Sequence, residues 1–271
     1  TDDFGKTWAK IVGGIPGDDF ARSIREDVRK PGLLYLGTEH GIYVSFDNGA
    51  NWQSLRLDLP VTPVHGIVST ENDLVIGTHG RSFYVLDNAA ILRQFTPGVA
   101  GATVHVFEPP AAVRGISRGV SIDYLLKTAP EKVTIEILDA QGQVVNAYTG
   151  AAEKEGAKPE AARGEDEEGF RRQAPRVAAK AGMNRFVWNM LYADARDFPG
   201  IILWAGSTRG PTALPGRYQV RLTAGADTKT AGFTIRRNPN LATVSESDLQ
   251  EQFTLALQIR DKVTQANEAV I

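Results

Sequence analysis

Two histidines occupy predicted turns in which a side chain could meet a ligand. His40 and His79 each stand directly before a glycine, between the second and third strands of a predicted four-strand unit. Because the position recurs, one interpretation gives both histidines a structural role in the turn. The other makes His79 and Arg81 the best candidate pair for ligand contact, with His40 as the counterpart, since imidazole binds ligands near neutral pH. No two histidines have the i, i+4 spacing of a helical metal site, so we predict no metal ligand.

Carboxylates near the predicted blade loops could serve glycoside hydrolysis, which needs two of them about 5 to 9 Å apart. Asp18, Asp19, Glu39 and Asp58 are available, but their spacing places none of them opposite another. Serine-hydrolase chemistry is not expected either. We therefore predict no catalytic residue and no cofactor in this chain.

An eight-residue pattern occurs twice near the start of the chain. Both copies read Ser/Thr-x-Asp-x-Gly-x-x-Trp, and their aspartates are 44 positions apart. The glycine supplies the positive φ of a tight turn, while the hydroxyl and carboxylate bond to the backbone of that turn. The tryptophan packs a large ring on the sheet. We therefore interpret the pattern as a structural staple, formed by Thr1, Asp3, Gly5, Trp8, Ser45, Asp47, Gly49 and Trp52.

The octapeptide resembles the Asp-box, or BNR repeat, of sialidase-like and sortilin-like β-propellers. Residues 32–45 and 77–87 also resemble the final blades of large bacterial Asp-box proteins, with Ser82 where the family usually has glycine. A period of about 44 residues with short strands is typical of propeller blades. Members of the family are commonly described as glycosyl hydrolase-like or sortilin-like and are usually secreted. The resemblance implies that this chain starts within a blade and is the C-terminal portion of a secreted or periplasmic bacterial protein.

The composition narrows the classes of partner. The 271 residues include 30 basic and 32 acidic ones, for a net charge of −2, so no strong field attracts nucleic acid or an anionic membrane. No run of about 18 apolar residues is present to span a bilayer. The absence of cysteine excludes disulfides and cysteine nucleophiles and is compatible with export.

Periodicity and turn residues predict an all-β chain that ends in a helix. Residues 1–97 are interpreted as the last blades of a propeller, and residues 98–240 as an immunoglobulin-like β-sandwich. Residues 241–271 are interpreted as a C-terminal helix, and the resemblance implies that this helix begins a helical hairpin. Within the first domain, we expect residues 7–13 to form the outer strand of an incomplete blade. Residues 91–95 should be the last strand of the second complete blade.

The sandwich should have six or so antiparallel strands, with Trp188 in its core. Tyr218, Val220 and Leu222 alternate along one strand and should face the same core. The insert at residues 151–182 has mixed charge and one aromatic residue. Such a segment buries too little apolar surface to offset its ordering entropy, so we expect a flexible surface loop.

Two further features remain. Trp204, in a loop between sandwich strands, could be a sugar-stacking platform, although its apolar neighbours favour burial. Residues 243–246 read Thr-Val-Ser-Glu, which fits a capping box with Thr243 at the N-cap. The apolar stripe of the helix that follows predicts a packing or assembly element.

Two functions from different classes are left open. In the first, the chain belongs to a secreted propeller protein that binds a protein, peptide or glycan, and its partners include the remaining N-terminal blades, in the same protein or in a separate chain. In the second, the whole protein is a glycoside hydrolase whose carboxylates lie mainly in those N-terminal blades. The first is favoured because no residues of this chain assemble into a reaction centre.

Overall fold

The computed structural model describes residues 1, 3–151, 176–198, 200–201 and 206–270. The chain is mostly β, with several antiparallel sheets and one long helix near its C-terminus. It forms two compact units, Thr1–Ala100 (unit 1) and Gly101–Ile271 (unit 2). Trp204 and most of the predicted insert, residues 152–175, lie outside the described residues.

Unit 1 contains two antiparallel sheets, one in the order β1-β2-β3-β4 and the other in the order β5-β6-β7. Their strands are short and rich in Val, Ile, Leu and Tyr, which suit a pleated, half-buried surface. The strands are β1 Ala21–Glu26, β2 Leu34–Thr38, β3 Ile42–Ser45, β4 Gln53–Ser54, β5 Val64–Ser69, β6 Leu74–Thr78 and β7 Phe83–Leu86.

Side chains from both sheets form the core of unit 1. Tyr35 and Ile42 of the first sheet belong to the same buried cluster as Val64, Leu74 and Ile76 of the second. A polar contact also joins the sheets within this unit, because the hydroxyl of Ser23 donates to the carbonyl of Val64 at 3.1 Å. The two sheets therefore pack on one another.

A buried ion pair explains why residues 91–95 do not form the predicted strand. Two short helices follow β7 instead, α1 Ile91–Gln94 and α2 Pro97–Gly101. In α1, Nε of Arg93 donates to Asp27 at 2.7 Å, and another guanidinium nitrogen donates to the carbonyl of Thr70 at 2.7 Å. The first bond pairs the Asp27 carboxylate with a cation, the second satisfies the Thr70 carbonyl, and the helical turn places Arg93 where it can make both. This polar anchor outweighs the strand propensity of the segment.

The strand predicted at residues 7–13 is also wrong. All seven residues are described and none lies in a strand. Their segment is held beside β4 by two bonds from Trp52, whose backbone N–H donates to Gly13 at 2.7 Å and whose indole donates to Ile11 at 3.0 Å. β4 is only two residues long, so it is too short to pair with residues 7–13 as another strand.

Unit 2 contains a three-stranded sheet in the order β13-β10-β8 and a five-stranded sheet in the order β12-β11-β14-β15-β9. All pairings are antiparallel except β15 with β9, a short parallel pair that the sequence did not predict. The strands are β8 Val104–Val106, β9 Ala112–Val113, β10 Val120–Leu126, β11 Lys132–Leu138, β12 Val144–Ala151, β13 Gly182–Trp188, β14 Gly216–Ala224 and β15 Asp227–Arg236.

Both sheets contribute to one core in unit 2. Trp188 is fully buried, and Tyr218, Val220 and Leu222 are buried on alternate positions of β14, which confirms the prediction for all four. The expectation for the insert is wrong at its C-terminal end. Val177 and Ala179 belong to the core cluster, because their apolar side chains gain from burial against it.

The long helix α3 runs from Glu246 to Glu268. Its capping box is formed by Ser245 and Asp248, not by residues 243–246 as predicted. The carboxylate of Asp248 accepts from the backbone of Ser245 at 2.8 Å, so an aspartate takes the place of the usual glutamate. α3 packs within unit 2 through Phe253, whose ring lies 4.9 Å from that of Tyr192. None of the helices in the described part of the chain is both long and apolar enough to cross a lipid bilayer.

Candidate functional site

The two sheets of unit 1 share one local geometry. Ala21 at the start of β1 pairs with Thr38 at the end of β2, and Val64 at the start of β5 pairs with Thr78 at the end of β6. In both sheets a β-bulge follows the first residue of the first strand. The extra residue of the bulge is unpaired, so its side chain points away from the direction that a regular strand would give it. Each side chain at this end of the first sheet therefore has a counterpart at the same end of the second sheet.

We call this region the turn end of unit 1. It holds the two bulge residues, the β2–β3 turn and the β6–β7 turn, and its charged and imidazole side chains are those of Arg22, Glu39, His40, His65, His79 and Arg81. It contains three of the four candidate contact residues, His40, His79 and Arg81. The fourth, Trp204, lies outside the described residues.

His40 and His79 are not equivalent, contrary to the sequence interpretation. The backbone N–H of His79 donates to Pro63, the residue before β5, at 2.9 Å. In the first sheet the equivalent bond is made by Glu39, whose backbone N–H donates at 3.1 Å to the carbonyl of Phe20, the residue before β1. His79 therefore corresponds to Glu39, because the β6–β7 turn is one residue longer than the β2–β3 turn and its glycine is shifted. The extra length places Ser82 at φ 68°, the left-handed conformation that favours glycine.

The bulge residue and the turn residue of each sheet face one another. In the first sheet, Arg22 forms an ion pair with Glu39, with Nε 2.7 Å from the carboxylate oxygen. In the second sheet, the rings of His65 and His79 lie 5.4 Å apart between their centroids, and both side chains are exposed. Arg22 also lies over the exposed ring of Phe20, 4.6 Å from its centroid.

A buried carboxylate positions His40. The Asp19 side chain is 1% exposed and lies 3.2 Å from Nδ1 of His40, whose own side chain is 48% exposed. Asp19 also accepts hydrogen bonds from the hydroxyls of Thr38 at 2.9 Å and Tyr43 at 3.2 Å. Burial raises the pKa of Tyr43, and its bond to the Asp19 carboxylate raises it further. His40 is thus a half-exposed imidazole held in place from beneath.

The second copy of the octapeptide lies at the opposite end of its sheet. Ser45 ends β3 and pairs with Leu34, the first residue of β2, whereas Thr38 at the turn end is the last. Four strand residues at about 3.3 Å each separate the two ends by about 13 Å. The Asp47 carboxylate accepts from Ser45 Oγ at 2.8 Å, from the Asn51 backbone at 2.8 Å and from the Asn51 side chain at 2.7 Å. The bonds from Asn51 and Ser45 hold the pKa of Asp47 below its ordinary value.

The first copy repeats these bonds. The Asp3 carboxylate accepts from the Thr7 backbone at 2.9 Å, the Thr7 hydroxyl at 2.7 Å and the Thr1 hydroxyl at 2.9 Å. Chiefly because of Thr7, the pKa of Asp3 falls to about 2. Gly5 and Gly49 have φ of 85° and 88°, and each donates its N–H to the hydroxyl four residues before it. The carboxylates of Asp3 and Asp47 therefore accept hydrogen bonds from within their own turns.

The tryptophans of the two copies differ in burial. Trp52 is 4% exposed, while Trp8 is 79% exposed and its indole donates to the carbonyl of Gly5 at 3.2 Å. The hydrogen bonds of the turn therefore form in both copies, but the packing of the ring is seen in the second alone.

The four carboxylates considered for glycoside hydrolysis have separate environments. Asp19 is buried and bonded as described, and Glu39 is paired with Arg22. Asp18 is exposed, and Asp58 lies at an apolar cavity of about 260 Å³ between the two sheets. The expectation that serine-hydrolase signatures are absent is wrong for the sequence, because residues 115–119 read Gly-Ile-Ser-Arg-Gly, which matches the Gly-x-Ser-x-Gly pattern. Its serine accepts from the Val113 backbone at 2.9 Å in a turn that leads into a strand, and not in the strand–turn–helix that such a nucleophile needs.

Three residues at this site were not recognised as a group from the sequence: Arg22, His65 and Asp19. The signal that could have found them is the repeated Leu-x-x-Gly-Thr of β2 and β6. Alignment on that segment brings Glu39 over His79, and it brings Arg22 over His65 once a three-residue difference in the length of the preceding loop is allowed for. The described residues contain no group of three or more His, Asp or Glu side chains placed to hold a metal ion. Comparison with protein-family models and with curated proteins finds no match to this chain.

Proposed function

We propose that this chain is the C-terminal portion of a secreted or periplasmic Asp-box β-propeller protein and that it works as a binding module for a protein, peptide or glycan. In this proposal unit 1 supplies the last blades and unit 2 is an immunoglobulin-like sandwich followed by a helix. The zero cysteine count is consistent with an exported protein.

The separation of roles between the two ends of the first sheet carries the proposal. The Asp47 carboxylate is engaged by its own hairpin, and the matching bonds of Asp3 give the first copy the same structural role. At the turn end, His40, His79 and Arg81 are exposed or half-exposed. The side chain of His40 contacts the buried Asp19 carboxylate, and the backbone N–H of His79 donates to Pro63. Polar groups preorganised on a rigid sheet are suited to recognition.

The chemistry of the turn end suits a polar ligand with an anionic or hydroxyl group. Arg81 offers a guanidinium fork, and the imidazoles can donate or accept. The exposed ring of Phe20 adds an apolar surface of the kind that contacts sugars and aliphatic side chains. The overall charge of −2 gives no reason to propose nucleic acid as a partner.

The outward face of the second sheet supports the propeller architecture. Phe83 and Val85 of β7 are 76% and 55% exposed, and they take the register positions that Ile42 and Val44 take in the first sheet. Those two residues are 3% exposed, because the second sheet packs over them. A further blade, from the same protein or from a separate chain, would cover Phe83 and Val85 in the same way.

The test is an array of glycans and peptides probed with the full-length protein, followed by the same array with Arg81→Ala. We expect a defined set of ligands whose binding weakens in this variant. Arg25→Ala is the matched control, since it removes the same charge from an exposed position further along β1. Equal binding by wild type and Arg81→Ala would contradict the placement of the site. Hydrolysis of an aryl glycoside by the full-length protein would favour the glycoside hydrolase alternative.

A further inference from the structure

We propose that His65 and His79 together bind one first-row divalent transition-metal ion, of the kind that imidazole prefers: Cu²⁺, Ni²⁺ or Zn²⁺. The site uses His79 of the turn end, but ion binding there does not depend on the identity of the ligand proposed above. The two histidines are 14 positions apart in the sequence, and no sequence pattern marks them as a pair. Strand pairing brings them together.

The distance between the rings fits coordination of a single ion. With a metal–nitrogen bond of about 2.0–2.1 Å, two imidazoles on a tetrahedral ion have ring centres about 5 Å apart. The observed separation of the centroids is 5.4 Å, with the ring planes inclined by 33°. Both side chains are exposed, and rotation about their bonds can direct one nitrogen of each ring to a common point.

Both histidines are fixed at the backbone. His65 is the extra residue of the β-bulge between Val64 and Gly66, so its position is set by the β5–β6 ladder. The N–H of His79 donates to Pro63 at 2.9 Å, and its carbonyl accepts from the hydroxyl of Thr62 at 3.4 Å. Because the backbone is already placed, an ion orders only the two exposed side chains. Its remaining coordination positions are open to water or to a ligand.

The first sheet shows that this pair is a local specialisation. The corresponding positions hold Arg22 and Glu39, which satisfy one another as an ion pair at 2.7 Å. An arginine cannot ligate a cation, since it has donors and no acceptor. The second sheet instead has two groups that can both be neutral ligands and that cannot pair as opposite charges. An ion between them joins the start of β5 to the β6–β7 turn.

The test is calorimetric titration of the folded chain with CuCl₂, NiCl₂ and ZnCl₂, with CaCl₂ as an ion that prefers oxygen ligands. We expect one Cu²⁺ per chain and no comparable site for Ca²⁺. His65→Ala and His79→Ala should each weaken Cu²⁺ binding by about 10²-fold, since each removes the benefit of two linked ligands. Because both side chains are exposed, circular dichroism should show that these variants fold.

His40→Gln is the matched control, because it removes a half-exposed imidazole from the neighbouring turn. It should bind Cu²⁺ as the wild type does, and electron paramagnetic resonance should show two nitrogen ligands in both. Copper should also raise the melting temperature of the wild type but not of the two alanine variants. Unchanged copper affinity in either alanine variant, or an equal loss in His40→Gln, would overturn the proposal.

Discussion

Nε of Arg93 donates a 2.7 Å hydrogen bond to Oδ1 of Asp27, across a sequence separation of 66 residues. The side chains are 16% and 1% exposed. Burial by itself would raise the pKa of Asp27, but the bonds from Arg93 and from two backbone N–H groups hold it below its ordinary value. The pair anchors α1 to the loop after β1.

Arg93→Met should therefore lower the free energy of unfolding by about 3–5 kcal/mol, because it leaves a buried carboxylate without its cation. Urea denaturation measures the loss. The double variant Asp27→Asn with Arg93→Met should recover part of it, and Arg25→Met, on the exposed part of β1, should change stability by less than about 0.5 kcal/mol. A loss below about 1 kcal/mol in Arg93→Met would show that the pair does not anchor the helix.

Two corresponding glycines should respond differently to alanine. A Cβ on Gly37 would lie 2.4 Å from the carbonyl oxygen of Val64 and 2.6 Å from the hydroxyl of Ser23. On Gly77 the nearest atom would be a ring carbon of Phe83, at an ordinary 3.6 Å. We expect Gly37→Ala to cost about 1–3 kcal/mol, as overpacking does. Gly77→Ala should be close to neutral in the same thermal or urea unfolding experiment, and similar losses for both would contradict the packing of the two sheets.

The tryptophans of the octapeptide copies give a second matched pair. Trp52→Ala should cost about 3–5 kcal/mol, since it removes a buried ring and leaves a cavity. Trp8 is 79% exposed, so Trp8→Ala should cost far less. The comparison is made by urea denaturation of the two variants. A cost for Trp52→Ala below about 1 kcal/mol would mean that Trp52 is not a core residue.

Most strands could be predicted because their residues alternate and are bounded by turn formers. The positions of β2, β6, β10, β11 and β14 follow from that local pattern. The errors arise where a distant contact decides the local structure. Residues 91–94 are helical because Arg93 meets Asp27, and residues 7–13 stay outside a sheet because β4 offers them no ladder. Neither the Arg93–Asp27 pair nor the shortness of β4 can be recognised from the residues of the affected segments.

The candidate site was also predicted only in part, because some of its features are local and others depend on distant contacts. The turns that carry His40, His79 and Arg81 are local features and could be found from the glycines. The pairing of His65 with His79 depends on a β-bulge and on strand register. A one-residue difference in turn length also made His40 seem the partner of His79, when the backbone places Glu39 there.

The pH response of Asp3 tests the hydrogen bonds of the first octapeptide copy. Its pKa is lowered to about 2, chiefly by Thr7, so the bonds stabilise the turn above the ordinary aspartate range and are lost as the pH falls through about 2. A ¹³C nuclear magnetic resonance titration of the carboxyl should have its midpoint near that value. Thr7→Ala should move the midpoint upward, and more than Thr1→Ala does. A midpoint near 3.8 in the wild type would contradict the bonding.

The central claim is that ligand recognition belongs to the turn end and that Asp3 and Asp47 only fix their hairpins. Chemical-shift mapping of the isotope-labelled chain with a ligand from the array tests it most directly. We predict that the largest shifts fall at the turn end, among Arg22, His40, His79 and Arg81. Shifts concentrated at Asp3 and Asp47, with the ligand bound between their carboxylates, would contradict the account.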